Sequence, residues 1–486
     1  MRLVGARPPG AGKRTPVLPE PGPALTGLAG APRRFHIVGI GGAGMNAIAT
    51  VLRAMGHEVS GSDLQASPVL ERLERLGVRT FVGHDAAHVG TAEIVAFSTA
   101  VRSDNVELVE ARRRGAACIN RAGILGAICR TRRALAVSGT HGKTTTTAML
   151  AQILLRAGLD PSYMVGGEVR GAEGGANWGK GPWLVVEADE SDGTFLRLGA
   201  EAAVVTNVEA DHLDHYGTEG ALASAFRTFL EQATGARVVC LDDRGAAAVA
   251  AGMPGVTTYG TSAGAAYRID RAELSPGGTN FDVSVRGRAL GTFEIPVPGL
   301  HNVRNAVAAL ATAAEIGVGP DVARGALAGY AGVGRRFELR GSRDGVTYVD
   351  DYAHLPSEVR ATLAAARQGS WERVVAVFQP HRYSRTAALG RDFGAAFQDA
   401  DLVVVTGIYP AGEEALPGVS GQVVAEAVRA SQPGLRVEYA ETRPDIVATV
   451  RGLLRAGDLC LTMGAGDLTT LADELLGLAP GTGARP

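Results

Sequence analysis

The segment Ser138-Gly-Thr-His-Gly142-Lys143-Thr144-Thr-Thr-Thr147 has the composition of a phosphate-binding turn. Gly139 and Gly142 would let backbone amides approach phosphate oxygens. Lys143 brings a compact charge for β- and γ-phosphates, and the Thr144 hydroxyl can reach Mg²⁺. Two residues separate the glycines where the general pattern has four. Lysine is scarce in this chain: of 48 basic residues only Lys13, Lys143 and Lys180 are lysine. A lysine retained against that background suits a place where a flexible point charge fits and a planar fork does not. A polar helix start without a ligand leaves Lys143 unexplained.

Two carboxylate clusters follow apolar runs that read as strands. Glu187-Ala-Asp189-Glu190-Ser-Asp192 closes Trp183–Val186, and Asp211-His212-Leu-Asp214-His215 comes after Val204-Val-Thr-Asn207. An acid at a strand end beside a phosphate loop is where Mg²⁺ takes a hard oxygen ligand, which singles out Glu187. His212 and His215, at i,i+3, also raise zinc; the interleaved carboxylates and the want of a third nearby histidine argue against it. A solvated acidic loop is the plain alternative for both Glu187 and Glu190.

A further motif, Gly39-Ile-Gly41-Gly42-Ala43-Gly44, follows the run Phe35–Val38 and opens a helix. Its glycines permit a tight turn and a close approach of amides to a pyrophosphate at the helix N-terminus. Asp63, closing the next strand, would meet a ribose hydroxyl. NAD and the pyrophosphate of a UDP-sugar both fit, and a turn without ligand is the third reading. Gly299-Leu-His301-Asn302-Val-Arg-Asn305 opens an alanine-rich helix with Asn302 and Asn305 on one face. Those amides and the imidazole could read an adenine edge, or Asn302 could cap the helix. The last third holds Arg335-Arg336-Phe-Glu338, Asp350-Asp351-Tyr-Ala-His354, Gln379-Pro-His381-Arg382-Tyr-Ser-Arg385 and Gly464-Ala-Gly-Asp467. Arginines at strand ends suit carboxylates and phosphates.

Such groups need a scaffold, and the chain alternates short apolar runs with longer amphipathic segments from Arg34 onward. The runs are Phe35–Gly39, Glu58–Ser60, Ile94–Ser98, Leu135–Ser138, Leu184–Glu187, Ala203–Thr206 and Val238–Leu241, then Val346–Val349, Val374–Phe378, Leu402–Thr406 and Leu459–Met463. The alternation predicts an α/β fold of parallel sheets with helices on both faces and ligands at the carboxyl ends of the strands. Arg268–Val297, with Ser275-Pro-Gly-Gly278, predicts a small antiparallel sheet. A chain of 486 residues accommodates about three domains. Breaks near 132 and 334 give domains over 33–132, 133–334 and 335–486. Residues 1–32, with seven prolines and no signal-peptide block, read as a disordered extension.

Composition removes several function classes. With 46% hydrophobic and 20% charged residues the chain is globular. No apolar run approaches the ~18 residues of a membrane span, and a net charge of −2 speaks against a nucleic-acid partner. Four cysteines at no CxxC spacing suggest neither a disulfide framework nor a cysteine zinc site, and a reducing cytoplasm is expected.

Taken together, HIVGIGGAGM (36–45), SGSD (60–63), GTHGKTTTT (139–147), EADESDGTF (187–195), TNVEADHLDHY (206–216), PGLHNVRNA (298–306), GVGRRFE (332–338), DDYAHLPSE (350–358), FQPHRYSRT (378–386), YPAGEE (409–414) and MGAGD (463–467) resemble the Mur ligase family. The likeness runs from about residue 34 to 475, and the short phosphate loop is normal for that family. It implies three domains: a Rossmann-like UDP-substrate-binding domain, a central P-loop ATPase α/β domain and a Rossmann-like C-terminal ligase domain. GIGGAGM and QPHRYSRT lie nearer the alanine-adding branch. The implied reaction joins L-alanine to the lactyl carboxylate of UDP-N-acetylmuramate through an acyl phosphate, with ATP and Mg²⁺, in peptidoglycan precursor synthesis.

The resemblance also implies roles. Gly41, Gly42, Ala43 and Gly44 would hold the UDP pyrophosphate, with Asp63, Ser98 and Thr99 nearby. Gly139, Thr140, His141, Gly142, Lys143, Thr144 and Thr145 would cradle ATP, Lys143 neutralising the transferring phosphoryl group. Thr144 and Glu187 would ligate one Mg²⁺ and His212 a second. His301, Asn302 and Asn305 would face adenine, Arg336 a phosphate and Asp351 the ribose. His354, His381, Arg382 and Arg385 would position the amino acid or the muramyl group, with His381 and Arg382 counted as catalytic. The implied protein is a cytoplasmic monomer or weak homodimer without nucleic acid or stable membrane association.

Three positions depart from the family pattern: Leu355 for a second histidine, Gly123-Ile124 for a Glu-Met pair, and Gly407 for an acid. Three rivals remain in view. A ligase that recycles a tripeptide onto UDP-muramate has a different UDP loop. An NAD-dependent dehydrogenase leaves the phosphate loop and both acidic clusters unexplained. A non-catalytic nucleotide-binding relative sits badly with Lys143, Glu187 and His212 intact.

Overall fold

The computed structural model describes Leu25 and residues 27–170, 174–275 and 277–478. Most of the expected disordered extension, 1–24 and residue 26, lies outside the described residues. Leu25 and Leu28 are already buried, so packing begins a few residues before Arg34.

The chain divides into two compact units. The first comprises the described chain to Thr131 with two later segments, Glu190–Gly199 and Glu209–Phe229, so it is not collinear with the expected domain at 33–132. Its five strands are all parallel, in the order Arg79–Val82, Glu58–Asp63, Arg34–Val38, Ile94–Phe97, Ala117–Asn120. The first strand is central, with its successor on one side and Ile94–Phe97 on the other. That order reverses direction at Arg34–Val38 and opens a crevice where the glycine turn, Asp63 and Ser98 emerge together. The later segments pack on each other through apolar rings and are tied to the first segment by an ion pair. Phe195 packs on Phe226 and Phe229 at ring-centroid distances of 5.2 and 5.1 Å, and Arg121 pairs with Asp192 at 3.0 Å.

The second unit carries two sheets. The larger has ten strands, with Arg133–Ser138 flanked in parallel by Ala202–Val205 and Trp183–Glu187. Ala134, Leu135, Ala136 and Val137 are each no more than 1% exposed. Burial on both faces explains why this strand is a continuous apolar run with no alternation. The helices Lys143–Arg156 and Leu300–Glu315 contribute to the same core. The meander expected at Arg268–Val297 is present as Tyr267–Ser275, Gly278–Val285 and Arg288–Ile295, paired antiparallel. It does not stand as a separate small sheet, because Tyr267 pairs in parallel with Tyr259 and extends the ten-stranded sheet. The six-stranded sheet runs Glu338–Arg343, Val346–Asp351, Asp458–Met463, Arg373–Phe378, Leu402–Thr406, Arg436–Ala440, antiparallel only at its first pair. The strands that apolar pattern misses are mostly at or near sheet edges. Arg79–Val82 and Ala117–Asn120 have half-exposed side chains and so lack a buried run.

Candidate active site

In the first unit the glycine turn is held from the end of the neighbouring strand and closed on itself by the Gly42 amide on Gly39 O at 3.2 Å. The Ser62 carbonyl accepts the amides of Gly39 and Ile40 at 2.8 and 3.0 Å, and Asp63 Oδ2 accepts the Gly41 amide at 2.9 Å. Gly42, the N-cap of the helix Ala43–Ala54, supplies no side-chain cap, a helix start that suits an anion. Ser98 and Thr99 follow the strand Ile94–Phe97 in a turn closed by the Val101 amide on Ser98 O at 3.1 Å. Asp63, expected at a ribose, therefore also shapes the turn.

Also in this unit, His212 takes a left-handed backbone, φ +56°, at the start of the short helix Leu213–Tyr216. Its Nε2 lies 3.3 Å from Asp211 Oδ2 and 3.8 Å from Glu190 Oε1. Glu190 is 1% exposed, so the solvated-loop reading fails for it; the Tyr216 hydroxyl donates to its carbonyl at 2.5 Å. Gly123, a departure from the family pattern, has a local reason. Its amide is capped by the Asn120 side chain at 2.9 Å, and a Cβ there would sit 2.7 Å from Ile119 Cγ2.

In the second unit the three parallel strand ends deliver the phosphate loop, Thr206-Asn207 and Glu187 side by side. Asn207 clamps the loop from both directions: Oδ1 accepts the His141 amide at 2.7 Å, and Nδ2 donates to the His141 carbonyl at 3.0 Å. The Thr206 hydroxyl donates to the same carbonyl at 2.5 Å. Gly139 sits at φ +135° with Thr206 Oγ1 where a Cβ would be, so only glycine fits. Lys143 Nζ curls over the loop and donates to the carbonyls of Gly139 at 2.6 Å and Thr140 at 3.2 Å. The ammonium is thus held inside the ring of amides that would surround a phosphate.

Glu187 Oε2 accepts the Gly166 amide at 2.8 Å, and the Thr144 methyl borders the adjoining Gly167. Among the described residues no three His, Cys, Asp or Glu gather to hold an ion. One hydroxyl and one carboxylate are hard donors that suit a Mg²⁺ keeping its waters and phosphate oxygens, and they do not make a zinc cage. Glu187→Gln is expected to raise the Mg²⁺ concentration for half-maximal activity at least about tenfold, since a carboxamide is a weaker hard-cation ligand. A metal titration unchanged from wild type would remove Glu187 from the ion's ligands.

The asparagine helix resolves one ambiguity. Gly299 occupies the N-cap, and Asn302 donates from Nδ2 to Pro298 O at 2.7 Å from inside the first turn, so Asn302 is no cap. Asn305 Nδ2 reaches Asn302 Oδ1 at 3.4 Å, and its own Oδ1 lies where a Cβ on Gly142 would go. The pair therefore borders the phosphate loop. Burial, helped by the charges of Arg304 and Arg336, pushes the His301 imidazole down to about 4, so it is neutral at pH 7.

The six-stranded sheet adds a residue that spacing did not reveal. Glu358, at the start of helix Pro356–Ala366, accepts from His141 Nδ1 at 3.0 Å, from the His354 and Leu355 amides at 2.9 and 3.2 Å, and faces His354 Nδ1 at 3.2 Å. Ser357 Oγ meets His141 Nε2 at 2.9 Å. Burial works against its charge, yet His354 and His141 hold the Glu358 carboxyl well below the ordinary carboxylate range. The acid three residues after Leu355 was the available signal, a capping box lacking its hydroxyl.

Asp351 receives the amides of Phe337 and Ala353 on its two oxygens, at 2.7 and 2.8 Å, and burial raises its carboxyl to about 6. Arg336 lies over the Tyr352 ring, its guanidinium carbon 5.0 Å from the centroid. His381 bonds Arg385 at 3.1 Å and stacks on Tyr409 at 5.7 Å, with His354 edge-on at 5.7 Å. Arg382 is held at φ +67° by its amide on Tyr409 O at 2.8 Å. Its Nε is buried without a hydrogen-bond partner among the described residues. Gly407 is packed 2.9 Å, measured from a Cβ position, against Glu441 O, so the family's acid would not fit there.

Comparison with known proteins agrees with this geometry. Family models match residues 34–133 (Mur ligase family, catalytic domain), 183–313 (Mur ligase middle domain) and 335–466 (Mur ligase, glutamate ligase domain). A UDP-N-acetylmuramate–L-alanine ligase from Kineococcus radiotolerans is 49% identical over 456 residues, 92% of this chain and 96% of the relative. The crystal structure of a UDP-N-acetylmuramate–alanine ligase from Thermotoga maritima superposes with TM-score 0.80 at 29% identity, covering 92% of this chain and 98% of that one. A murein peptide ligase from Psychrobacter arcticus gives 0.67 at 26% identity over the same 92%, and 98% of its own chain. The chain belongs to the Mur ligase family.

Proposed function

We propose that this chain joins L-alanine to the lactyl carboxylate of UDP-N-acetylmuramate, converting ATP to ADP and phosphate. The carrying observation is the Lys143 ammonium held over the Gly139 and Thr140 carbonyls within a loop that Asn207 and Thr206 keep rigid. The lactyl carboxylate attacks the γ-phosphorus, forming an acyl phosphate and releasing ADP. The alanine amine then attacks the carbonyl carbon, and the tetrahedral adduct expels phosphate as the amide forms. Lys143 offsets charge on the transferring group, Asn302 and Asn305 face the adenine, and His381, Arg382 and Arg385 receive a carboxylate. Arg336 is assigned to phosphate and Asp351 to the ribose. No side chain bonds covalently to substrate; orientation and fixed charge lower the barrier. Mg²⁺, held by Thr144 and Glu187 with a second ion at His212, would neutralise phosphate charge.

In this reading residues 33–132, 133–334 and 335–486 are the UDP, ATP and ligase domains of a cytoplasmic monomer or weak homodimer. Among the described residues no helix is long and apolar enough to cross a membrane. The recycling ligase stays the second reading, and its likeness in fold is weaker. Phosphate release from Mg-ATP and UDP-N-acetylmuramate should require L-alanine. Release with L-Ala-D-Glu-diaminopimelate in its place would move the chain to the recycling branch, and silence with every amine would overturn the ligase reading.

A further inference from the structure

One buried carboxylate lies behind the glycine turn, and the reaction above makes no use of it. Glu107, on helix Val106–Arg113, is fully enclosed. Four side chains from elsewhere in the first unit converge on it. Ser62 Oγ donates to Oε2 at 2.5 Å, and His84 Nδ1 lies 3.1 Å from the same oxygen. His88 Nδ1 is 3.1 Å and His36 Nε2 is 3.5 Å from Oε1. Ser62 and His36 are as fully buried as Glu107.

The hydrogen-bond inventory places the protons. Ser60 spends its single hydrogen on Phe35 O at 3.2 Å, so His36 Nδ1, 2.9 Å away, must donate to Ser60. Ser62 spends its hydrogen on Glu107, so His84 Nδ1, 3.0 Å from Ser62 Oγ and also beside the carboxylate, must donate as well. Ser62 and His84 are therefore arranged for an anion, while His36, its Nδ1 hydrogen given to Ser60, faces Oε1 only at 3.5 Å. Burial alone would raise this carboxyl; the contacts of His36, Ser62 and His84 override it and hold it at about 2.

Ser62 connects this cage to the turn. Its hydroxyl is tied to Glu107, while its carbonyl holds the Gly39 and Ile40 amides and the next side chain, Asp63, holds Gly41. Gly61 adds a tight fit, since a Cβ there would strike Ile40 Cδ1 and the Ile37 carbonyl. The turn thus hangs on the end of the strand Glu58–Asp63, which its two neighbouring strands hold edgewise and Glu107 braces from behind.

We infer that Glu107 is a positioning residue for the nucleotide-sugar loop: through the Ser62 hydroxyl it fixes the carbonyl and carboxylate that shape Gly39–Gly41, and so sets affinity for the UDP moiety. The inference rests on the reading of that loop as the UDP site. Glutamine at 107 would turn an amide toward donors that need an acceptor, and alanine at 62 would cut the link while leaving the cage charged.

Calorimetric titration of UDP-N-acetylmuramate into wild type, Ser62→Ala, Glu107→Gln and the double variant tests it. Each single variant is expected to weaken Kd about tenfold, and the double no more than about twofold beyond the worse single, because both break one linkage. The KM for the same substrate should rise in parallel, with kcat at saturation within about twofold of wild type. A merely structural role would lower Tm and leave Kd alone. Should Glu107→Gln not fold, Ser62→Ala alone decides. Folded variants that bind as wild type does, or effects that multiply in the double variant, would overturn the inference. A wild type that binds ATP and not UDP-N-acetylmuramate would overturn the UDP reading itself, and this inference with it.

Discussion

Lys143→Ala lowers phosphate release by about 10³-fold or more, some 4 kcal/mol of barrier, while binding of UDP-N-acetylmuramate changes less than about twofold. The expectation comes from where the ammonium is kept. It lies over the Gly139 and Thr140 carbonyls, in a loop whose shape Asn207 and Thr206 maintain without its help. Removing it should therefore leave an intact cradle lacking the ammonium proposed to meet the transferring phosphoryl group. Arginine is a poor substitute, because its planar fork is longer and cannot fold back over the same two carbonyls. The turn proposed for UDP is held from Ser62 and Asp63 in the first unit, so affinity for that substrate is expected to stay unchanged. Single-turnover phosphate release alongside calorimetry checks both halves; substantial turnover in the variant would sink the phosphate-loop assignment.

Glu358→Gln is expected to lower kcat/KM for ATP about 10²-fold, near 2.7 kcal/mol. The carboxylate accepts from His141 on the phosphate loop and from the amides of His354 and Leu355, all from inside the protein. A carboxamide offers one acceptor and presents a donor to the others, so either the His141 ring or the start of helix Pro356–Ala366 must move. The acid limb of the stability curve separates this from a general loss of packing. A carboxyl depressed in the folded state stabilises above its ordinary value of 4.5, and that contribution is lost as pH falls below it. The glutamine variant should thus lose less stability than wild type between neutral pH and the acid limb. Equal acid sensitivity together with wild-type kcat/KM would show that Glu358 only caps its helix.

Much of this protein is legible without coordinates, because its chemistry is concentrated in short segments directly after buried strands. Ala134–Val137 reads as a parallel strand since both faces are covered, and the segment after such a strand sits at a carboxyl end. Glycines, Lys143 and Glu187 could be picked out by type and spacing, since a phosphate loop requires that local order. The resemblance of motifs then supplied family and reaction, and the whole-chain comparisons bear them out.

Tertiary structure decided what local order cannot encode. Glu358 lies 217 residues beyond His141, and Glu107 lies 45 beyond Ser62; only strand order brings each pair together. The solvated-loop alternative for Glu190 gives way to an enclosed acid, and the capping alternative for Asn302 to a residue of the first turn bonded backward to Pro298. Edge strands such as Arg79–Val82 escaped because pattern reports burial, and an edge buries little. The meander at Tyr267–Ile295 was visible as strands, but its attachment to the ten-stranded sheet depends on a parallel pairing at Tyr259 that no turn signal announces. Residue type and spacing thus determined which groups could act on phosphate and nucleotide; long-range packing determined which buried anions hold those groups in place, because a carboxylate is tolerated in the interior only where distant donors converge on it.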